Sequence, residues 1–287
     1  MPSLRTVRRR IRSVRNISQV TKAMEMVSAS KMRRAQMRVL ASRPYSEQLQ
    51  RLISDLAARS GPEADAHPLL QQRESRNRVG IIMMTSDRGL CGGLNSNVIR
   101  RASGEILESG GTSVVDLITV GRRGQDYMAR RGMRIDSTFT YLGDQPGIAK
   151  IHPIAHVVID KFAKGDIDAA FLVYPKFVNT LTQRVVADQL LPIVPAKNGG
   201  PQLEFIFEPS APEILAELLP RYVEVQIFQA LLDTIASEHS ARMIAMGNAT
   251  DNAKDLISTL TLVYNKARQA AITREIAEIS AGAGVLG

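Results

Sequence analysis

Residues 210–287 read SAPEILAELLPRYVEVQIFQALLDTIASEHSARMIAMGNATDNAKDLISTLTLVYNKARQAAITREIAEISAGAGVLG, and the way this stretch folds decides the rest of the chain. Ser210 suits a helix N-cap, Glu213 three residues on can complete a capping box, and Pro212 is tolerated in the first turn. No strong stop follows until Gly282 and Gly284. Pro220 and Gly247 interrupt the pattern without turn chemistry, so a kink at Pro220 is expected rather than an end. A helix running from Glu213 to Ala281 has 69 residues and reaches roughly 100 Å at about 1.5 Å per residue, more than a globular core of this size can house. Leu256, Leu260, Val263, Ala267 and Ala270 have the spacing of a coiled-coil seam. The apolar stripe then moves to Ile272, Ile276, Ile279, Ala283 and Leu286, which predicts a change of partner near the end.

Working outward, the opposite end of the chain is also helical in pattern. Ser3 can cap, and Leu4, Val7, Ile11 and Val14 share one face. After one short step, Ile17, Val20, Met24 and Val27 repeat the same spacing, which predicts a second stretch of seam with altered winding. Arg43-Pro44 marks a bend, and Tyr45, Leu49, Leu52, Ile53 and Leu56 continue the stripe to about Ala58. Ser60-Gly61-Pro62 is a stop. Two seam-bearing helices separated by a domain that returns the chain pair most simply as an antiparallel coiled coil. The C-terminal helix is the longer, so one end of it should project beyond its partner.

The charge is unevenly placed. The net charge is +9; residues 1–60 carry +11, residues 61–209 carry +1 and residues 210–287 carry −3. A basic arm suits nucleic acid or an acidic protein surface. Trp is absent and aromatics make up only 5%, which disfavours base stacking. The one cysteine, Cys91, excludes an intrachain disulfide. No apolar run approaches the ~20 residues of a membrane span, and the first residues lack the apolar core of a secretory signal.

The middle, from about residue 75 to residue 208, alternates strand and helix patterns. Strands are expected at 79–84, 114–120, 135–141, 169–174, 181–190 and 205–207, with helices at 96–108, 125–131 and 148–163. This is a Rossmann-like α/β domain, set between an N-terminal helix over residues 1–59 and a C-terminal helix over residues 210–287. The Thr85–Asn95 loop stands where a phosphate loop would, after the first strand. Its glycines, Gly89, Gly92 and Gly93, fit neither a dinucleotide fingerprint nor a P-loop and are as well explained by a tight strand-to-helix turn. His152 and His156 form an i, i+4 pair without a carboxylate motif, a weak metal signal. No catalytic constellation emerges, so no cofactor or metal is expected on this chain. A Rossmann enzyme with helical appendages and a basic coiled-coil nucleic-acid binder are the rival readings.

Three sets of residues carry a family resemblance. Ile17-Ser-Gln-Val-Thr-Lys-Ala-Met-Glu-Met-Val27, with Ser30-Lys31-Met32, closely resembles the N-terminal motif of the gamma subunit of F-type ATP synthases. Thr85-Ser86-Asp87-Arg88-Gly89-Leu90-Cys91-Gly92 resembles its central motif. Residues 237–243, 249–253 and 264–273 resemble its C-terminal signature. The resemblance implies a non-catalytic rotor shaft. Its coiled coil would stand inside a hexamer of alpha and beta subunits, and its α/β foot would meet epsilon and the membrane c-ring. It further implies that Met24, Arg242, Arg268, Gln269, Thr273, Ile276, Ile279 and Leu286 face alpha and beta. Phe205, Phe207 and Glu208 would face the c-ring or epsilon. The membrane would then be met only through the complex, and nucleic acid not at all. Chloroplast-type chains carry an additional cysteine-bearing segment that is missing here, and no mitochondrial presequence is visible, so a bacterial chain is expected at the cytoplasmic side of the plasma membrane.

Overall fold

The computed structural model describes residues 3–60, 67–73, 77–194 and 210–283. Phe205, Phe207, Glu208 and Leu286, with the expected strand at 205–207, lie outside the described residues. The elements are α1 (Leu4–Ser60), β1 (Val79–Met84), α2 (Leu94–Glu108), β2 (Val115–Val120), α3 (Arg122–Arg130), β3 (Ile135–Phe139), a 3-10 turn (Ile148–Lys150), α4 (His152–Lys164), β4 (Ala169–Phe177), β5 (Gln183–Leu191) and α5 (Ala211–Ala283). Packing divides the chain into two units: residues up to Ser28 together with those from Met243, and Ala29–Arg242.

The larger unit holds a five-stranded sheet in the order β3-β2-β1-β4-β5. The first four strands are parallel, and β5 returns antiparallel to β4. The order reverses direction at β1, as in doubly wound folds. Buried side chains explain the runs read as strands: all six residues of β1 and of β2 are buried. On one face Ile81, Met83 and Leu117 pack with Val98, Ala102 and Ile106 of α2 and Met128 of α3. On the other, Thr234 of α5 contacts the sulfur of Met84, and Ser237 donates to the Pro175 carbonyl. This part of α5 is enclosed nearly all round, with Leu219, Val223, Ile227, Ala230 and Ala236 at most 2% exposed. That explains why no single stripe marks it in the sequence.

Of the boundaries that differ from expectation, three have a visible cause. The helix foreseen from Ile148 begins instead at His152, because Pro153 has no amide hydrogen to give and sits where first-turn donors go unused. The third strand stops at Phe139, before Tyr141 takes a positive φ of 56°. The fifth starts at Gln183, because the Asn179 side chain accepts from the Leu181 and Thr182 amides and turns the chain first.

Within the larger unit α1 and α5 run antiparallel: Ser42 lies opposite Gln229 and Ser46 opposite Gln226. The inward face of α1 is Met32, Ala35, Val39, Leu49, Ile53 and Leu56, all buried. Pro44 falls on the exposed side, where the Leu40 carbonyl it leaves unpaired belongs to a residue half open to solvent, so the helix continues through it. Ser3 and Ser210 cap as read from the sequence, each accepting from the amide three residues on.

Asp233 of α5 is the least comfortable group in this unit. It is 2% exposed, and its Oδ1 has no hydrogen-bond partner among the described residues. Burial pushes its carboxyl up from 3.8 to about 6, against the pull of Arg43, the Phe177 amide and Lys176 and with a push from Asp188. A raised folded-state value means that the folded chain holds the proton more tightly than the unfolded one. Stability from this group is therefore full below about pH 4 and is lost as pH rises through about 6. Asp233→Asn should raise unfolding stability at pH 7.5 by on the order of 2 kcal/mol and remove the decline between those values. Denaturant titrations of both forms at several pH values check this.

Candidate interaction surfaces

In the smaller unit the two terminal helices again run antiparallel. The Thr21 and Thr250 hydroxyls are 2.8 Å apart, and a Cβ on Gly247 would lie 3.6 Å from the Glu25 carboxyl carbon. The same antiparallel step places Val14 opposite Ile257 and Val7 opposite Tyr264. Burial follows this register. On α5 the covered positions are Met246, Thr250, Ala253, Ile257, Leu260, Tyr264 and Ala267, an unbroken heptad seam. The expected seam shares Leu260 and Ala267 with it. Leu256 and Val263 are 47% and 41% exposed, and Ala270 is exposed too, so the expected seam is corrected by one residue at those steps. Ile257 and Tyr264 present as much apolar surface as Leu256 and Val263, so hydrophobicity alone did not separate the two faces.

The larger correction concerns α1. The expected stripe Ile17, Val20, Met24, Val27 is not the seam: Ile17, Val20 and Val27 are 53%, 58% and 55% exposed, and Met24 is half-buried. The covered face continues from Leu4, Val7, Ile11 and Val14 through Ser18, Thr21, Glu25 and Ser28 without a short step. Small polar side chains lie inward and large apolar ones outward. Gly247 is not sterically required, because its added methyl would meet Glu25 at ordinary contact distance. Gly247→Ala should therefore stabilise the chain by about 0.5–1 kcal/mol through reduced unfolded-state entropy, measured as a raised denaturation midpoint.

Beyond Ala267 the described side chains of α5 are exposed. Ile272, Ile276 and Ile279 are 47%, 59% and 67% exposed, an uncovered apolar stripe at the helix end. Arg268, Gln269 and Thr273 stand exposed beside it. At the other helix Arg5, Arg8, Arg9, Arg10, Arg12 and Arg15 are all exposed, so the basic arm read from the sequence is an open surface. These groups can offer apolar contact, hydrogen bonds and positive charge to a neighbour.

Arg242 is different. It is 8% exposed and spent inside the larger unit: Nε and Nη2 donate to the Gly89 carbonyl at 3.2 and 3.1 Å, and Nη2 pairs with Glu238 at 2.5 Å. The expectation that it offers its guanidinium to a neighbouring subunit is corrected accordingly. It ties α5 to the loop after β1. His239, 3% exposed, lies beside it, and its Nε2 is 3.2 Å from Asp144, which also takes an ion pair from Lys31 at 2.6 Å. Burial holds His239 below its ordinary value despite Asp144. Burial works against the Asp144 carboxylate too, but Lys31 and His239 outweigh it and hold it low.

The Thr85–Asn95 loop is closed by its own side chains. The Ser86 amide donates to Asn95 Oδ1 at 3.0 Å, and the Asn95 amide nitrogen lies 2.8 Å from Ser86 Oγ and 3.2 Å from Cys91 Sγ. The two Asp87 oxygens accept from the amides of Arg122 and Tyr141, both at 3.0 Å. Ser86 Oγ donates to the Arg88 carbonyl, and Gly92 takes the positive φ of a tight turn. Asn95 thus takes the Ser86 amide that a phosphate-binding turn would present, which favours the tight-turn reading of these glycines. Leu90 adopts φ 64° with its side chain 61% exposed, a bulky left-handed residue that sequence reasoning missed. Only its place between Gly89 and Gly92 hinted at it. His152 and His156 have separate partners, Glu224 and Asp160, and among the described residues no group of three His, Cys, Asp or Glu could hold a metal.

An α/β domain whose terminal helices pair antiparallel and leave apolar and basic faces open marks a chain that docks against other protein. The comparisons with known proteins say which kind. The family model described as ATP synthase matches residues 3–286. The ATP synthase gamma chain of Chloroflexus aurantiacus is 49% identical over 288 residues, covering 100% of this chain and 99% of that one. That of Pelotomaculum thermopropionicum is 50% identical with 100% of both covered. In fold the chain is similar to one in the Euglena gracilis mitochondrial ATP synthase, OSCP/F1/c-ring, with a TM-score of 0.69, 18% identity and 99% and 94% coverage. It is similar also to one in the Tetrahymena thermophila central stalk/c-ring structure, with a TM-score of 0.62, 24% identity and 80% and 99% coverage. The chain belongs to the ATP synthase gamma chain family. As a member it is a non-catalytic subunit of the central stalk.

Proposed function

We propose that this chain is the turning shaft of a bacterial F-type ATP synthase, coupling rotation of a membrane c-ring to the nucleotide cycle of the surrounding beta subunits. The observation that carries the reading is the uncovered apolar surface of the smaller unit: Ile17, Val20 and Val27 on α1, and Ile272, Ile276 and Ile279 on α5. Apolar surface of that extent on paired helices calls for further protein around it. Contacts made by dispersion and burial are non-directional, so the end of α5 can bear against a ring without a preferred angle. The exposed arginines of α1 suit acidic loops on the enclosing subunits. Phe205, Phe207 and Glu208 precede α5 in sequence and are assigned, from the family resemblance, to the c-ring or epsilon. The complex sits at the cytoplasmic side of the plasma membrane, and this chain meets the membrane through it. The nucleic-acid reading loses its ground, since the basic arm has a protein partner in this assignment.

The test is assembly and coupling. The chain should co-purify with alpha, beta and epsilon in constant proportion and show no ATP turnover alone; turnover that survives removal of contaminating ATPases would overturn the non-catalytic assignment. In reconstituted vesicles Met24→Lys should lower proton translocation per ATP hydrolysed while leaving assembly intact, because a cation beside the outward stripe adds an ionic contact to beta. Unchanged pumping per ATP would remove Met24 from that contact.

A further inference from the structure

The inverted segment of α1 poses a choice that burial does not explain. Residues 17, 20, 24 and 27 and residues 18, 21, 25 and 28 form two faces with identical spacing, one residue and so about 100° apart on the helix. The first is Ile, Val, Met and Val; the second is Ser, Thr, Glu and Ser. Apolar burial favours the first inward, yet the second is inward, with Thr21 9% and Ser28 3% exposed. Continuity with Leu4, Val7, Ile11 and Val14 favours the observed face, since turning the apolar stripe inward requires an overwound step after Val14. The two preferences oppose one another, and one directional contact lies between them. Thr21 Oγ1 is 2.8 Å from Thr250 Oγ1, with the Ser18 carbonyl 3.1 Å from the first and the Met246 carbonyl 2.8 Å from the second. Two hydroxyl protons serve three contacts, so one hydroxyl donates along its own helix while the other bridges the pair.

We propose that the Thr21–Thr250 hydrogen bond is a rotational key, which holds the polar face of α1 inward and so keeps Ile17, Val20 and Val27 presented outward. Thr21 and Thr250 are positioning residues. They touch no reacting group and act by setting which face of the shaft the surrounding subunits meet, a consequence that rests on the function proposed above. A buried polar pair that selects one register from several of similar stability is the best-attested role of such groups between helices.

The experiment uses the full chain with buried Cys91 replaced (Cys91→Ser) and a reporter at one of two adjacent positions, Val27→Cys or Ser28→Cys. In the parent the outward reporter at 27 reacts fast with a maleimide and the inward one at 28 slowly. In Thr21→Ala/Thr250→Ala the two rates should converge or exchange, their ratio moving by about fivefold, the shift in a two-state equilibrium that one net hydrogen bond controls. Thr21→Ser/Thr250→Ser keeps the hydroxyls at nearly the size of alanine and should restore the parent pattern. Parent-like rates in the alanine pair would overturn the key, as would equal acceleration at both positions, which means separated rather than rotated helices. The alanine pair is then assembled with alpha and beta and proton pumping per ATP is read. Altered labelling with unchanged pumping would leave the key standing and remove the outward stripe from coupling.

Discussion

Gly121→Ala is expected to prevent the α/β domain from folding. Gly121 ends β2 and begins α3 with φ 94°, a conformation that alanine adopts only under strain. An added Cβ would lie 2.0 Å from the Thr85 carbonyl oxygen and 2.7 Å from its carbon. Both atoms belong to backbone that cannot move alone. The Thr85 amide donates to the Val120 carbonyl, the Gly121 amide to the Phe139 carbonyl, and the Gly124 amide to the Thr85 hydroxyl. Relieving the clash therefore breaks the carboxyl ends of three neighbouring strands together. A cost of at least about 4 kcal/mol is expected, the range reserved for steric and strain failures at special backbone positions. Insoluble expression, or loss of the cooperative unfolding transition, is the result to look for. A soluble variant with a parent-like midpoint would mean that the Thr85 end of β1 can move away from the Gly121 turn at little cost.

Arg242→Ala should cost about 3–5 kcal/mol, because it removes one partner of a buried ion pair and leaves the other charged. Glu238 would lose its 2.5 Å partner and the Gly89 carbonyl two donors. Burial already raises the Glu238 carboxyl above its ordinary 4.5, with Arg242 opposing. Without Arg242 it rises further. A raised folded-state value makes stability fall as pH rises, so the variant should be weaker relative to parent at pH 8 than at pH 5. Adding Glu238→Gln should recover part of the loss and flatten that pH dependence, and Arg242→Lys should fall between, since a point charge cannot make the same fork of bonds. Equal losses in the single and double variants would show that the ion pair contributes little and that the Gly89 tie carries the effect.

Much of this chain was legible before any coordinates. The α/β centre declared itself because β1 and β2 are buried on both faces and their sequences are mostly apolar, β2 being interrupted by Asp116 and Thr119, between turn residues. The extent of α5 was legible because Ser210 caps it and nothing inside stops it; Pro220 lies within the observed helix. The uncovered stripe at Ile272, Ile276 and Ile279 was legible because α5 is the longer partner. The family followed from motifs spread along the chain.

Tertiary structure alone decided which faces meet. Two stripes one residue apart on α1 carry the same spacing, and hydrophobicity picks the one that lies outside; a hydrogen bond between residues 229 positions apart is invisible to local pattern. Arg242 reads as a surface cation until the Gly89 carbonyl, 153 residues away in sequence, is brought beneath it. Leu90 reads as a loop residue until Asp87, Asn95 and Arg242 pin the turn around it into a left-handed conformation. Local periodicity sets what each segment becomes, because helix and strand depend on neighbours within a few residues. The rotation of one helix against another depends on small differences between long-range contacts, which only the assembled fold resolves.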